Sequence, residues 1–417
     1  MENQTPTRKS PSNKWLVFGS TICALLVVEI ALRLGGYSYP IFYTTDPDCG
    51  YVLRPGVEGW YHREGNTYVR INKEGLRDRE HSLVKPPDTV RIAVLGDSYA
   101  EAMQVPLEDT FWAVMEKELQ QCGTFAGKQV EVINFGVGGY GTAQELITLR
   151  HRAWDYSPDI ILLAVTTSND VSDNSRDFKR NPPTPYFVYR DGRMTLDASF
   201  RETPAFRIGN SALNRWGRAI RDHLRILQAI HEAHYVIKGM LSSRRNKGGV
   251  AQAVPLAAPD PSSPAGQKAS SGSGVLGLEE MAYQEPDSPV WKEAWRVTEG
   301  LIVLMRDEVK QHGAKFAVVT LSNPIQVYPD AGLRRSFARR LGVNDLLYPD
   351  LRIKDLCERQ GIPVYNLAPD LRRIAEHGKV FLHGTAGMRG LDGHWNKAGH
   401  HAAGELIAQK LCGGLLK

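Results

Sequence analysis

The stretch EVINFGVGGYGTAQE, residues 131–145, decides how the rest of the chain is read. It joins an apolar, β-like run to a helix-like one through Gly136, Gly138, Gly139 and Gly141, and so contains G-x-G-x-x-G between a strand and a helix. A loop that cradles dinucleotide phosphates stands at that place in a βαβ unit. The alternative is a glycine turn at a strand end serving some other chemistry.

Four further apolar runs have the same strand-like character: RIAVLG from Arg91, IILLAV from Ile160, KFAVVTL from Lys315 and IPVYNL from Ile362, with VEVINF from Val130 as the second in order. Continuous apolar runs of this length are expected of parallel strands buried on both faces. Helical patterns lie between and after them, at Thr110–Gln121, Thr142–Trp154, Trp291–His312, Leu351–Gln360 and Lys397–Leu411. The alternation predicts an α/β fold: a doubly wound, flavodoxin-like sheet of five parallel strands in a three-layer α/β/α sandwich, with its ligand beyond the strand C-termini. Position then separates the two readings of the glycines. A dinucleotide loop follows the first strand and has an acid about 20 residues on. Here the loop follows the second strand, and the nearest strand-end acid, Asp170, lies 29 residues past Gly141.

Chain length and composition set outer bounds. With 417 residues and 42% hydrophobic content the chain can bury a large core. A net charge of +5, without a strongly basic domain carrying interleaved aromatics, does not predict nucleic-acid binding. Cys23, Cys49, Cys122, Cys357 and Cys412 are scattered, without a C-x-x-C pair, and suggest neither a disulfide framework nor a zinc site.

Trp15–Leu32 is an 18-residue apolar run interrupted by one acid, Glu29, long enough to cross a membrane. Arg8, Lys9 and Lys14 precede it and Arg33 follows, so the positive-inside bias keeps residues 1–14 in the cytoplasm and places the chain after a 15–34 anchor outside it. A cleaved signal peptide lacks its small-residue site here, and Ile22 before Cys23 is too large for lipoprotein processing. A buried core helix would have little nearby chain to cover it.

Residues 36–88 read as an irregular extension with β-like pieces such as TYVRIN, and 89–415 as the main domain. About 150 residues separate the third and fourth strands, too many for an ordinary crossover, which marks an insertion at about 172–289. Within it Leu213, Trp216, Ile220, Leu224, Leu227 and Ile230 have helical spacing, in a segment (201–250) with ten Lys/Arg and three acids. Such a helix suits either a lid with a solvated basic face or contact with anionic lipid or polysaccharide. Ser242–Gly274, rich in Ala, Pro, Ser and Gly, reads as a linker.

The strand ends carry the polar residues. VLGDSYAE puts Asp97 and Ser98 after the first strand; Asn134 and Gly139 follow the second, Asn169 and Asp170 the third, and Asp392-Gly-His394-Trp-Asn396 precede the last helix. Serine on a strand-to-helix turn projects its hydroxyl over the sheet edge, although serine is also a common helix cap. With GDSY at 96–99, GVGGYG at 136–141, TSND at 167–170 and DGHWN at 392–396 in this order, the sequence resembles the SGNH (GDSL-type) hydrolases and acyltransferases over residues 91–411. INKEGLRD, 71–78, also resembles membrane-anchored bacterial members.

The resemblance implies that Ser98 is the nucleophile and His394 its general base. Backbone N–H groups of Ser98 and Gly139 and the amide of Asn169 would form the oxyanion hole. A serine hydroxyl needs an adjacent base at neutral pH, and the tetrahedral oxyanion needs donors already aimed at it. The resemblance calls for no cofactor and no metal. Two departures stand out. Thr167 occupies the usual glycine position, and Leu391 the usual aspartate position, leaving Asp392 as the local acid to orient His394. This D-x-H form is similar to that of extracytoplasmic polysaccharide O-acetyltransferases. His231 and His234 lack the i, i+4 spacing of a zinc helix, and His400 and His401 have no acid or cysteine cluster around them. The expected protein is a membrane-anchored enzyme that uses Ser98 to cleave or transfer an acyl ester on extracytoplasmic carbohydrate. A catalytically weak glycan-binding or assembly subunit on the same fold is the alternative.

Overall fold

The computed structural model describes residues 14–125, 127–179, 183–245, 278–384 and 393–415. Its centre is a sheet of five strands: β1 (Thr89–Gly96), β2 (Gln129–Asn134), β3 (Ile160–Thr166), β4 (Lys315–Leu321) and β5 (Val364–Asn366), in the spatial order 2-1-3-4-5. Every neighbouring pair is parallel. Val94 faces Asn134, Gly96 faces Ala164 and Leu321 faces Thr166, which aligns the C-terminal ends of β1–β4 along one edge. This is the flavodoxin-like order, and the order in which strands are added reverses between β1 and β3, where such sheets open a crevice.

Side-chain alternation along each strand builds two cores. Ile161, Leu163 and Val165 of β3 pack against Leu146, Trp295 and Ile353 from helices Thr142–His151, Pro289–Gln311 and Tyr348–Arg359. Ile160, Leu162 and Ala164 turn to the opposite face, against Trp112, Leu371 and Ile407 of helices Phe111–Gln120, Ala368–Gly378 and Lys397–Cys412. β3 is buried at every position, as its unbroken apolar run requires. Two eleven-residue helices of the domain, Ala331–Leu341 and Ala368–Gly378, fall outside the sequence-based pattern, as do the single turns Ser98–Glu101, Asp170–Asp173 and Leu278–Met281.

The extension forms two small antiparallel hairpins, Tyr43–Asp46 with Gly50–Leu53 and Glu58–Tyr61 with Thr67–Arg70. The insertion contributes a third, Tyr186–Arg190 with Arg193–Asp197, followed by helices Pro204–Gly209, Ala212–His223 and Arg225–Arg245. The single helix expected across Leu213–Ile230 is therefore two, because Leu224 is extended (φ −115°, ψ 106°) and turns the chain. Most of the linker expected at 242–274 lies outside the described residues. Lys14–Leu34 is one helix, long and apolar enough to cross a membrane.

Cys122 and Cys412 form a disulfide, with Cα atoms 5.9 Å apart. The scattered cysteines, whose spacing suggested no disulfide framework, thus include one bonded pair. Their separation of 290 residues concealed a pairing that arises where the ends of helices Phe111–Gln120 and Lys397–Cys412 meet. Those helices approach closely at Gly404, where an added Cβ would stand 2.5 Å from the Phe111 carbonyl oxygen and 2.8 Å from Val114 Cβ. Helix propensity alone favours alanine over glycine by about 1 kcal/mol, whereas overpacking costs about 1–3 kcal/mol. Gly404→Ala is expected to lower the melting temperature by several degrees; a rise would mean that the helices are further apart than described.

Candidate active site

β1 ends in Gly96-Asp97-Ser98, and Ser98 opens the short helix Ser98–Glu101. Asp97 caps it, its Oδ1 accepting the Tyr99 N–H at 2.9 Å and the Thr166 hydroxyl, from the end of β3, also at 2.9 Å. This ties the first and third strand ends together beneath the serine. Ser98 Oγ lies 2.7 Å from His394 Nε2. The two residues are 296 positions apart in the chain, and the sheet edge brings them into direct contact.

Contacts from several elements hold His394, which remains partly exposed. Gly384 N–H donates to its carbonyl at 2.9 Å, the neighbouring Trp395 donates to Ser322 Oγ at 2.9 Å, and Asn396 caps the final helix through the Gly399 N–H at 3.1 Å. Tyr99 meets the imidazole edge to face at 4.9 Å. The other ring nitrogen, Nδ1, is hydrogen-bonded to the Glu64 carboxylate, which also accepts the His394 backbone N–H at 3.3 Å. Glu64 stands in the turn between strands Glu58–Tyr61 and Thr67–Arg70, in the extension. Asp392, the expected orienting acid, lies outside the described residues.

The hairpin reaches the histidine because its tip is built for close approach. Gly65 has φ +142°, and a Cβ there would stand 2.7 Å from the Gln104 carbonyl oxygen. Thr67 Oγ1 donates to that same oxygen at 3.0 Å, and the Gln104 amide donates to the Trp395 carbonyl at 3.0 Å. Gln104 thus links the residue beside His394 to the hairpin that carries Glu64. INKEGLRD, which had no assigned chemistry, fastens the extension to β2: Asp78 accepts the Asn134 N–H at 2.9 Å, and the Asn134 amide donates to the Arg77 carbonyl at 3.2 Å.

The glycine loop packs on the serine helix. A Cβ on Gly136 would stand 2.5 Å from Ala100 Cβ, and one on Gly138 would stand 2.8 Å from Glu101 Oε2. Gly139 has φ +76°, a conformation that favours glycine. Glu101, fully buried one turn after Ser98, receives the Gly138 N–H and the Tyr43 hydroxyl, the latter at 2.9 and 2.8 Å. A buried carboxylate under this loop is a poor neighbour for a pyrophosphate. The N-terminus of the following helix is also occupied, since Asn174 Oδ1 accepts the Ala143 N–H at 2.9 Å. Both observations argue against the dinucleotide reading. Asn169 Nδ2 donates to Asp97 Oδ2 at 3.1 Å, with Ser98 Oγ 3.5 Å from the same oxygen. Thr167 adopts no left-handed backbone among the described residues, and its hydroxyl accepts from Asn323 at 3.3 Å, so the loop accommodates its non-glycine residue.

Buried charge dominates the electrostatics. Burial pulls the His394 imidazole down, but the charge and hydrogen bond of Glu64, with Asp97 and Glu101 behind them, outweigh it and lift the ring to about 9. Burial raises Glu101 to about 7 against the Gly138 N–H, the Tyr43 hydroxyl and the His394 charge. Burial and neighbouring negative charge push Glu145 and Asp170 well above the usual carboxylate range. Among the described residues no group of His, Cys, Asp or Glu is arranged to hold a metal ion.

No family model matches the sequence, and no curated protein matches it. Solved structures similar to the chain include an alpha/beta hydrolase enzyme from the metagenome of Lake Arreo, Spain, at 11% identity, covering 79% of this chain and 96% of that one with a TM-score of 0.35. An acetylxylan esterase from Geobacillus stearothermophilus matches at 10% identity, covering 79% and 96% with a TM-score of 0.35. An acetyl xylan esterase matches at 11% identity, covering 77% and 98% with a TM-score of 0.33. At such values any catalytic assignment stands on the geometry of Ser98, His394 and Glu64.

That geometry sets a pH dependence. Only a neutral imidazole accepts the serine proton, and a ring lifted to about 9 is protonated at neutral pH. Any reaction in which His394 deprotonates Ser98 is expected to show a kcat/KM that rises with pH and reaches half its plateau near pH 9. A midpoint near the ordinary histidine value of about 6.5 would mean that the Glu64 charge does not face the ring.

Proposed function

We propose that the protein is a serine-dependent carboxylic ester hydrolase or acyltransferase that works outside the cytoplasm on acylated carbohydrate. The observation that carries this reading is the 2.7 Å contact of Ser98 Oγ with His394 Nε2, with the Glu64 carboxylate on the opposite ring nitrogen. His394 takes the hydroxyl proton as Ser98 attacks the acyl carbon. Glu64 holds the ring in the tautomer that leaves Nε2 free to accept, and stabilises the imidazolium that forms.

The oxyanion falls between the Ser98 and Gly139 backbone N–H groups and the Asn169 amide. An amide nitrogen carries two N–H bonds; Asp97 takes one from Asn169, which leaves the other for the oxyanion. Collapse of the tetrahedral intermediate expels the alkoxide, which receives the proton from His394 and leaves an acyl-Ser98. Water or an acceptor hydroxyl, deprotonated by the same histidine, then takes the acyl group. Hydrolysis and transfer differ only in that acceptor. The D-x-H resemblance supports O-acetyl groups on carbohydrate as the substrate class.

The apolar helix Lys14–Leu34, with Arg8, Lys9 and Lys14 on its N-terminal side, supports a single-pass anchor with the catalytic domain outside the cytoplasm. The Cys122–Cys412 disulfide suits an oxidising compartment.

Ser98→Ala is expected to abolish labelling by a serine-directed fluorophosphonate and to lower aryl acetate turnover by about 10⁴-fold or more. Full turnover in that variant would favour the binding-subunit reading. Glu64→Gln, which keeps size and removes charge, is expected to cost about 10²- to 10⁴-fold in kcat, and Asp392→Asn less than about tenfold. The reverse order would return the orienting role to Asp392.

A further inference from the structure

The helix Lys14–Leu34 exposes apolar side chains along its length but buries its one acid, Glu29, at 8% exposure. The Glu29 carboxylate accepts the backbone N–H groups of Arg225 and Ile226, at 3.0 Å each, and the Arg33 guanidinium at 2.8 Å. Arg33 also donates to the His223 carbonyl. Glu29 therefore satisfies two of the orphan donors at the start of the helix Arg225–Arg245 and complements its dipole. It stands five residues before Leu34, about 7.5 Å along the axis at ~1.5 Å per residue. The segment from His223 to Gln228 is thereby held level with the last turns of the anchor. Arg225 donates to Ser38 Oγ at 2.9 Å, and Tyr39 N–H to Gln228 Oε1 at 2.8 Å, just beyond the anchor's end. Tyr37 and Tyr39 pack there with ring centroids 4.4 Å apart, at the position where aromatic residues mark a membrane boundary.

From this junction the insertion presents an apolar surface. Ile208, Leu213 and Trp216 are 67%, 77% and 66% exposed, and Ile230 is 60% exposed. Ile208, Leu213, Leu227 and Ile230 line one open groove of about 670 Å³. Beside it, Arg54, Arg215, Arg218 and Arg225 border a second cleft of about 520 Å³. Asp222 is taken by Arg54, and among the described residues none of Arg207, Arg215, Arg218 and Arg221 forms an ion pair. Burial, followed by the positive charges of Arg54, Arg221 and Arg215, disfavours the charged form of Arg218. The two acids that line the cleft, Asp222 and Glu58, are engaged by Arg54 and Arg70, so Arg215 and Arg218 have no carboxylate partner among the described residues, next to an apolar face that nothing described covers.

We infer that helices Pro204–Gly209 and Ala212–His223 lie on the outer leaflet of the bilayer that Lys14–Leu34 spans, with Trp216 and Leu213 in the acyl boundary and the arginines on the phosphates of anionic phospholipids. An amphipathic helix with a basic polar face binds an interface in this way, and Glu29 sets its depth. The inference rests on Lys14–Leu34 being a membrane anchor.

The test uses the full chain, reconstituted into phosphatidylcholine vesicles with or without phosphatidylglycerol. A photo-crosslinking benzoylphenylalanine replaces Phe18 in one variant and Trp216 in another. Both positions are expected to crosslink to phospholipid. The Trp216 yield should rise with phosphatidylglycerol and fall about fivefold when Arg215→Glu is added. Lipid capture at Phe18 with none at Trp216, or capture of protein alone at Trp216, would overturn the interfacial placement while leaving the anchor intact. Failure at Phe18 would remove the anchor, and this inference with it.

Discussion

The site depends on one contact, the Glu64 carboxylate against His394 Nδ1. In the proposed mechanism the imidazole serves Ser98 efficiently because its second nitrogen has a partner that fixes ring orientation and tautomer. Here that partner comes from a hairpin outside the α/β sandwich, so the sheet alone does not complete the constellation. Several features make sense as means of holding the hairpin tip in place: Gly65 pressed against the Gln104 carbonyl, Thr67 on the same oxygen, Gln104 bridging to Trp395, and Asp78 and Asn134 sealing the extension to β2.

The same packing burdens the site with buried carboxylates. Glu101, Glu145, Asp97 and Asp170 are all buried near Ser98, and two of them, Glu145 and Asp170, are held well toward their neutral forms. Glu101 does not touch the histidine, but its negative charge helps lift His394, and it holds the Gly138 N–H next to the residue expected to donate to the oxyanion. Basicity at His394 and the shape of the glycine loop are therefore coupled through one side chain, with Tyr43 from the extension as its hydroxyl donor.

Much of this was legible in the chain. Strands β1–β4 are long apolar runs, and runs buried on both faces have few alternatives; Ser98, Gly139, Asn169 and His394 stand at strand ends or before a helix, where a doubly wound sheet must gather them. The missing parts are long-range pairings. Glu64 lies in an ordinary polar turn, HREGN, with no local sign that its hairpin folds over the sheet edge, whereas Asp392 was noticed because it is two residues from His394. Cys122 and Cys412 were hidden by their separation in sequence. Glu29 looked like a flaw in an apolar run; its partners, the N–H groups of Arg225 and Ile226, are nearly 200 residues away. The two helices that replaced one around Leu224 share a single apolar period, and only the backbone break separates them.

The most direct measurement is the titration of the His394 ring nitrogens by ¹⁵N NMR in the full chain, before and after Glu64→Gln. The account predicts a ring that titrates near 9 in the native protein and at a clearly lower pH in the variant, with the proton on Nδ1 in the neutral form. A titration unmoved by Glu64→Gln would contradict it and would leave the histidine of this site oriented by some other group.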